Sequence, residues 1–469
     1  MAKLRYLVLI MVCLATLSVA GKSKYPGGKR FIYRYYLQDK QGTSFSLERP
    51  TRWLSRQSVE RRRRQGLALD STDLPVSNVY LKQMRQKGVE LVGTSRWNNT
   101  VLLCAKDTAA LESIAKLPFI TKSQCVWTSP DSIDDPWRMK IHDNFNRWDT
   151  IHNDPYGAAR PQIEMLKGEC LHEAGFMGKG MTIAILDGGF HNADRLPWLQ
   201  NVHVEGIRDV VYLSPAYRES SLSTTRPYLE TDHGTKVLSA MAANLPQILT
   251  GTAPEARYWL IRCEDTSTEQ PVEEDYWAMA AELADSAGVD IINSSLGYTE
   301  YDEGCKNHVL NDLNGSTALI SRTASMLADK GIVLCNSAGN SGMGPWKKIG
   351  FPADADNILT VGAVSESRKI AAFSSVGPSQ DGRVKPDIVA MGAPAALLSG
   401  RGTLVRDMGT SFSTPIVCGL VACLWQAYPN KTALEIIEMV RRSADNYPTP
   451  NNIYGYGVPD FCRAYARPH

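Results

Sequence analysis

The sequence Met408-Gly-Thr-Ser-Phe-Ser-Thr-Pro415 opens an apolar run that ends near Tyr428. The run predicts a buried helix with Pro415 in its first turn, where proline is tolerated because the first N–H groups of a helix have no intrahelical partner. The hydroxyl of Ser411 is then expected beside free backbone donors and the positive end of the helix dipole. Such a position suits a nucleophile, although a Gly-Thr-Ser triplet taken alone is more often a helix cap or a turn.

Three polar residues upstream of this stretch have comparable surroundings. Asp187 follows an apolar run that predicts a buried strand, and it precedes two glycines. His233 lies in Thr231-Asp-His-Gly-Thr-Lys236, directly before a helical pattern, and Asn340 ends a second strand-like run. The gaps between these residues and Ser411 are long enough for crossover connections. We therefore expect all four side chains to meet at the carboxyl ends of the strands of a parallel sheet.

These four residue types together suit nucleophilic catalysis. A serine hydroxyl is a weak nucleophile until a base removes its proton, and His233 is the only one of eight histidines within an Asp-His-Gly-Thr sequence. Asp187 would orient the imidazole, while the Asn340 amide and the Ser411 N–H would bind the developing oxyanion. Each residue alone is more often a turn former or a cap, so the hypothesis depends on their joint order in the chain.

The order Asp187, His233, Asn340, Ser411 resembles that of the subtilisin-like serine peptidases, and the resemblance covers roughly residues 155–465. Other segments typical of that family have counterparts at Ile291–Gly297, Gly350–Ala353, Leu359–Val364 and Phe373–Pro378. The chain departs from the common pattern at Lys236, Ser239, Met408 and 412–414. None of these departures removes a reacting group, so the resemblance implies an active endopeptidase that forms an acyl-enzyme.

The resemblance also implies a three-layer α/β fold, with helices covering both faces of a mostly parallel sheet. The alternation of strand and helix patterns after Tyr156 favours the same architecture. In the family, substrate binds along two segments whose counterparts here are Ser295-Leu296-Gly297 and Ser337-Ala338-Gly339. We expect strands at 182–186, 257–262, 290–293, 332–336 and 358–361, helices at 274–287 and 317–330, and a long loop over 195–232.

Residues 1–20 have the features of a secretory signal peptide: basic residues, a short apolar run and small residues before Gly21. The apolar run is shorter than the roughly 20 residues that span a bilayer, which disfavours the alternative of a retained membrane anchor. We therefore expect a secreted or periplasmic protein that leaves the membrane once the signal is removed.

Three further segments follow the signal peptide. Residues 21–127 predict a small α+β domain, 128–155 a linker rich in Asp, Asn and Pro, and 156–469 the peptidase domain. By resemblance the α+β domain is a propeptide that inhibits the peptidase, and a permanently retained accessory domain is the alternative. Its run Arg61–Arg64 is interpreted as the solvated end of a helix, with a processing site as the alternative.

The ten cysteines do not form a dense disulfide framework, and removal of Cys13 with the signal peptide leaves an odd number. Cys335, Cys418 and Cys423 are predicted to be small buried hydrophobes, while the pairs Cys104–Cys125 and Cys263–Cys305 stay open. Metal-ligand spacings are absent from the sequence, and Asp131, Asp134 and Asp135 lack the spacing of a calcium loop. No cofactor is therefore expected, and a structural calcium ion has no motif to support it.

The net charge of +2 gives no indication of a nucleic-acid partner. A dinucleotide enzyme is disfavoured because Gly188-Gly189-Phe190 lacks the third glycine of the fingerprint. We predict a secreted serine endopeptidase that acts on proteins or peptides and is inhibited by its own propeptide. A catalytically silent protein of the same fold and a processing peptidase of narrow specificity are the alternatives.

Overall fold

The computed structural model describes residues 22–25, 27–134, 151–212 and 225–466. The predicted signal peptide and residues 135–150 of the predicted linker lie outside these ranges.

The N-terminal domain contains a four-stranded antiparallel sheet with the strand order β3-β4-β2-β5. Two helices, α2 and α3, pack with Tyr35, Val101 and Leu103 in a small core on one side of this sheet. The elements are β1 (Lys22–Lys24), β2 (Phe31–Leu37), α1 (Arg56–Arg64), α2 (Asn78–Arg85), β3 (Glu90–Ser95), β4 (Thr100–Ala105), α3 (Thr108–Ala115), β5 (Ile120–Thr128) and β6 (Ser132–Asp134).

The C-terminal domain is built on a seven-stranded parallel sheet with the order β15-β14-β13-β12-β7-β11-β8. Its elements are α4 (Arg160–Met165), α5 (Glu169–Glu173), β7 (Thr182–Asp187), β8 (His203–Asp209), α6 (His233–Ala242), β9 (Asn244–Leu245), β10 (Leu249–Thr250), β11 (Arg257–Arg262), α7 (Val272–Ala287), β12 (Ile291–Ser294), α8 (Leu319–Ser325), β13 (Val333–Ser337), β14 (Leu359–Ser365), β15 (Ile388–Ala393), β16 (Ala395–Leu398), β17 (Leu404–Asp407), α9 (Thr410–Ala427), α10 (Ala433–Ser443) and α11 (Phe461–Ala466).

Helices cover both faces of this sheet, as predicted. Successive residues of a strand point to opposite faces, and in β7 the side chains of Ile183 and Ile185 join the core that contains α6 and α9. Ala184 and Leu186 join the other core, which contains α7. The strand is therefore buried on both sides, which explains why its sequence is a continuous apolar run rather than an alternating one.

Helix α9 crosses the centre of the domain, and its side chains are buried from Thr410 to Trp425. By length and composition it is apolar enough to span a membrane, but most of it is enclosed by the protein. Its apolar sequence is explained by burial in the core, since both core helices and membrane spans lack a polar face.

The second face of the N-terminal sheet packs on the C-terminal domain. Leu102 and Cys104 of β4 lie in the same hydrophobic cluster as Tyr276 and Trp277 of α7. The side chain of Arg34, on β2, binds the buried carboxylate of Asp275 on α7. The two domains thus share one core, which is sealed by a buried ion pair.

The expectation that Arg61–Arg64 forms a solvated helix end is wrong for two of its members. Arg61 and Arg62 are each only 2% exposed, and both bind the carboxylate of Asp285 at the end of α7. Arg61 also donates to the carbonyl oxygen of Val289. Two arginines of the run are buried because α1 packs against the Asp285 carboxylate, and a buried carboxylate requires cationic partners.

Two secondary-structure predictions also need correction. The stretch 195–232, predicted as a loop, contains β8, which pairs parallel to β11 at the edge of the sheet. The helix predicted over 317–330 is divided into α8 and a 3-10 turn, Ala328–Lys330. Residues 213–224 of the predicted loop lie outside the described residues.

Neither candidate disulfide is present. Cys104 and Cys125 lie on β4 and β5, which are separated by β2, so their side chains cannot meet. Cys263, which is buried in the core, and Cys305, which is partly buried, are both unpaired. The disulfide that does form joins Cys170 of α5 to Cys462 of α11. The prediction of burial is confirmed for three cysteines, which are fully enclosed: Cys335, Cys418 and Cys423.

Candidate active site

Asp187 and His233 meet at the carboxyl end of the parallel sheet. Asp187 is the last residue of β7 and is fully buried, and one of its oxygens accepts a hydrogen bond from the N–H of Gly188 at 2.8 Å. His233 begins α6, and its Nδ1 lies 2.9 and 3.0 Å from the two Asp187 oxygens. With Nδ1–H donating to the carboxylate, Nε2 is left as the nitrogen that can accept a proton.

The environment of His233 favours its protonated form. Burial alone would lower the pKa of the imidazole, but the Asp187 carboxylate outweighs this effect, and with a contribution from Glu264 the pKa rises to about 9. Nearby negative charge therefore makes His233 a stronger base than a solvated histidine.

Ser411 is the second residue of α9, and only 9% of it is exposed. Its Oγ donates to the carbonyl oxygen of Ser295 at 3.2 Å, and its own carbonyl accepts from Ser295 Oγ at 2.8 Å. Within α9, Pro415 would normally supply the N–H for the Ser411 carbonyl, but proline has none. Pro415 thus lies in the second turn of the helix, not in the first as predicted, and Ser295 replaces the missing donor.

The Asn340 side chain follows β13 and is held by the start of α9. Its Oδ1 accepts from both the N–H and the hydroxyl of Thr410, at 3.0 Å each. These two hydrogen bonds fix the orientation of the carboxamide, and its Nδ2 donates to no acceptor among the residues that the structure describes. Asn340 is exposed, so this nitrogen is accessible to a bound molecule.

The two predicted substrate segments lie side by side, following the neighbouring strands β12 and β13. Ser337 Oγ donates to the carbonyl of Leu296 at 3.4 Å, which links one segment to the other. Gly339 has a φ of 103°, a conformation that favours glycine, and its N–H donates to Thr410 Oγ1. Ser295, Leu296, Ser337 and Ala338 are buried, whereas Gly297 is exposed and Gly339 is partly exposed.

The residues that depart from the common family pattern have local partners. Lys236 is buried and contacts Asp232 and Asp407, and Ser239 Oγ bridges the Lys236 carbonyl and the N–H of Leu398. The Phe412 ring lies 5.6 Å from the His233 ring, centre to centre. Met408, in contrast, is 62% exposed.

Two residues of this site were not singled out from the sequence. Thr410 orients Asn340, but in the sequence it was considered only as part of the segment around the candidate nucleophile Ser411. Glu264 lies next to Asp187, because β11 pairs with β7 so that Arg262 is opposite Asp187 and the chain continues along the same edge. The proximity of Glu264 to Asp187 follows from the order of the strands in the sheet, which a single sequence does not reveal.

Metal binding has no support in the parts of the chain that the structure describes. Among those residues, no group of three or more His, Cys, Asp or Glu side chains is placed to hold an ion.

Comparison with known families gives two matches. Residues 178–457 match the model of the subtilase family of S8 peptidases, and residues 32–140 match the model of an S8 peptidase propeptide domain described for Bacteroidota. The first match alone covers more than half of the chain.

Several curated proteins are similar over the C-terminal part. Subtilisin NAT of Bacillus subtilis subsp. natto is 29% identical over 308 residues, which cover 65% of this chain and 69% of that protein. The serine protease AprX of Bacillus subtilis is 28% identical over 314 residues, which cover 60% of this chain and 65% of AprX. A thermostable alkaline protease of Halalkalibacterium halodurans is 26% identical over 306 residues, 64% and 72% of the two chains.

Proposed function

The chain belongs to the subtilase family, as a serine endopeptidase with a propeptide domain, and from that membership we propose that Asp187, His233 and Ser411 are its catalytic triad. His233 Nε2 removes the proton from Ser411 Oγ as that oxygen attacks the carbonyl carbon of the scissile peptide bond. Asp187 holds the imidazole in the required tautomer and stabilises the imidazolium. For this step the Ser411 hydroxyl must break its hydrogen bond to the Ser295 carbonyl and donate to His233 Nε2 instead.

The tetrahedral intermediate carries its negative charge on the former carbonyl oxygen. We assign Asn340 Nδ2 and the N–H of Ser411 as its hydrogen-bond donors. His233 then returns the proton to the leaving amine, the acyl-enzyme forms on Ser411 Oγ, and water hydrolyses it by the same sequence of proton transfers. The net reaction is hydrolysis of one peptide bond.

One observation supports this assignment most strongly: the two hydrogen bonds from Thr410 to Asn340 Oδ1. Donors that are already oriented stabilise a transition state without reorganising, and this is the largest contribution in many hydrolases. Thr410 immediately precedes Ser411, so the residue that orients the amide also positions the nucleophile.

We further propose that the chain matures by removal of residues 1–20 and then by cleavage within 128–155, which separates the propeptide domain (21–127) from the peptidase domain (156–469). The mature protein is secreted or periplasmic and requires no cofactor. The Cys170–Cys462 disulfide supports export, since disulfides persist mainly in oxidising compartments.

The proposal is tested with the purified full chain, its Ser411→Ala variant and the control Ser413→Ala, which removes another hydroxyl of the same helix. The unaltered chain and Ser413→Ala should be cut within 128–155 and then digest an unfolded protein, whereas Ser411→Ala should do neither. Maturation of pure Ser411→Ala at the normal rate would contradict self-processing. Digestion by Ser411→Ala would contradict the assignment of the nucleophile.

A further inference from the structure

The carboxylate of Glu264 lies beside the Asp187–His233 pair and has no role in the chemistry described above. Its Oε2 is so close to Gly188 that a Cβ atom on that glycine would lie 2.6 Å from it. Its negative charge acts on both Asp187 and His233. Glu264 therefore lies next to the proposed catalytic pair, beside the glycine that follows Asp187.

This carboxylate has no partner among the residues that the structure describes. It accepts no hydrogen bond from them and forms no ion pair with them, although it is half-buried. Of its cationic neighbours, His233 directs Nδ1 to Asp187, and Arg262 donates to Asp209 and to the Gly188 carbonyl. Removing a carboxylate from water without a donor is unfavourable, so such a group is expected where a ligand supplies the donor.

A second polar group without a partner is the hydroxyl of Tyr298. Tyr298 is only 1% exposed, and its hydroxyl has no hydrogen-bond partner within the described ranges. Burial raises the pKa of this hydroxyl, and the negative charges of Glu273 and Glu264, followed by those of Cys263 and Glu269, raise it further. A buried tyrosine hydroxyl normally has a partner, so the lack of one leaves a second unmet hydrogen-bonding group, whose titration is coupled to the charge of Glu264.

The ligand that fits is an organic cation. A metal ion is disfavoured because the described residues provide no group of three ligands at metal-binding distance. A lysine ammonium or an arginine guanidinium carries several N–H donors and can reach a carboxylate and a hydroxyl oxygen together.

We propose that Glu264 is a specificity-determining residue, whose carboxylate receives the lysine or arginine side chain of a substrate close to the scissile bond. The inference rests on the proposed function and deepens it, since it gives that site a preference for basic sequences. Glu264 touches the substrate side chain and does not act on the reacting atoms.

The test uses matched peptides in which lysine, arginine or the uncharged norleucine occupies each position around the scissile bond in turn. The mature protein should cleave the basic member faster at one of these positions, by about 10- to 100-fold in kcat/KM, as expected for a charge-assisted hydrogen bond. Assays at pH 9 keep the carboxylate charged, because burial and the neighbouring Asp187 raise the pKa of Glu264 to about 7.

Glu264→Gln should reduce the ratio of basic to norleucine cleavage to near one, while the norleucine peptide is still cleaved. Glu264→Lys should reverse the preference toward an acidic side chain. The control Glu169→Gln removes another half-buried carboxylate with an unpartnered oxygen, on the disulfide-bonded helix α5, and should leave the ratio unchanged.

A mature protein that cleaves basic and norleucine peptides equally at every position would overturn the proposal and leave the peptidase function intact. So would a preference that survives in Glu264→Gln. Failure of the unaltered protein to cleave any peptide would instead contradict the proposed function itself.

Discussion

The oxygen and the nitrogen of the Asn340 carboxamide have different proposed roles. Its oxygen holds Thr410, and its nitrogen is assigned to the oxyanion. A change to alanine removes both functions together, whereas a change to aspartate keeps an oxygen for Thr410, removes the donor and adds a negative charge beside the oxyanion.

Asn340→Asp should therefore unfold at nearly the same denaturant concentration as the unaltered protein, yet lose turnover. The expected loss in kcat is at least about 10²–10³, the magnitude known for removing the oxyanion-hole donor of subtilisin itself, because the added carboxylate also repels the oxyanion; KM should change little. Chemical denaturation and steady-state kinetics on the same preparation check this. Near-normal kcat in Asn340→Asp would remove Asn340 from the reaction.

As the proposed general base, His233 should set the pH dependence of the reaction. The base must be neutral, and its raised pKa of about 9 means that the protonated, inactive form predominates below that pH. We expect kcat/KM of the mature protein to rise tenfold per pH unit and to level off near pH 9. Asp187→Asn should shift this limb to lower pH and reduce the plateau, because the group that raises the pKa is lost. A limb near the ordinary histidine pKa of about 6.5 in the unaltered protein would contradict this account.

Helix α9 lacks one backbone hydrogen bond near its start, and a side chain from outside the helix supplies a replacement. Pro415 gives the Ser411 carbonyl no N–H, and Ser295 Oγ donates to it instead. In the inactive Ser411→Ala background, which keeps this carbonyl and prevents self-digestion, Ser295→Ala should reduce the free energy of unfolding by about 1–3 kcal/mol.

Pro415→Ala provides the matched comparison, because it restores an N–H at the position of the helix that normally bonds to residue 411. In the double variant Ser295→Ala/Pro415→Ala the loss due to Ser295 should be clearly smaller than in the single variant. Chemical denaturation of the four proteins of this cycle measures the coupling. Strictly additive effects would show that Ser295 does not serve the helix.

The elements that could be predicted from sequence are those with strong burial on both sides. The strand predicted over 257–262 is found at Arg257–Arg262, and the helix predicted over 274–287 begins only two residues earlier. The edge strand His203–Asp209 was missed because it pairs on one side only and its residues are at most partly buried. At Gly206 it also makes room for the Trp259 ring, a contact between strands that no local pattern encodes.

The candidate site was predictable to the extent that its residues lie in local motifs. Asp187 and His233 were expected together and are in contact. Glu264 carries no motif, and only the strand order places it near Asp187. The Cys170–Cys462 disulfide joins residues 292 positions apart, a separation across which sequence spacing gives no information.

A charged cluster joins the propeptide domain to the peptidase domain near the C-terminal end of α7. The contact between α7 and the N-terminal sheet, at Asp275, lies near the other end of the helix. Arg61, Arg62 and Arg96 all bind Asp285, whose carboxylate is fully buried. Their positive charge holds the pKa of Asp285 well below its usual range despite its burial. Loss of this one carboxylate leaves three arginines without their shared anion.

Asp285→Asn in the Ser411→Ala full chain should thus lower the free energy of unfolding by about 3–5 kcal/mol, the cost of breaking a buried ion pair. The control is Glu60→Gln, which breaks the exposed Arg63–Glu60 pair on α1, the helix that carries Arg61 and Arg62, and should leave the free energy of unfolding nearly unchanged because solvent screens the pair. Chemical denaturation checks both values. Equal effects of the two changes would show that the cluster does not hold the domains together.

The measurement that tests the central claim most directly is covalent labelling of the mature protein with a fluorophosphonate, followed by mass spectrometry of its peptides. The reagent requires a serine activated by a neighbouring base. We predict a phosphonyl adduct on Ser411 that forms more slowly in His233→Ala and is absent from Ser411→Ala. An adduct on another serine, or labelling of Ser411→Ala at the normal rate, would contradict the account.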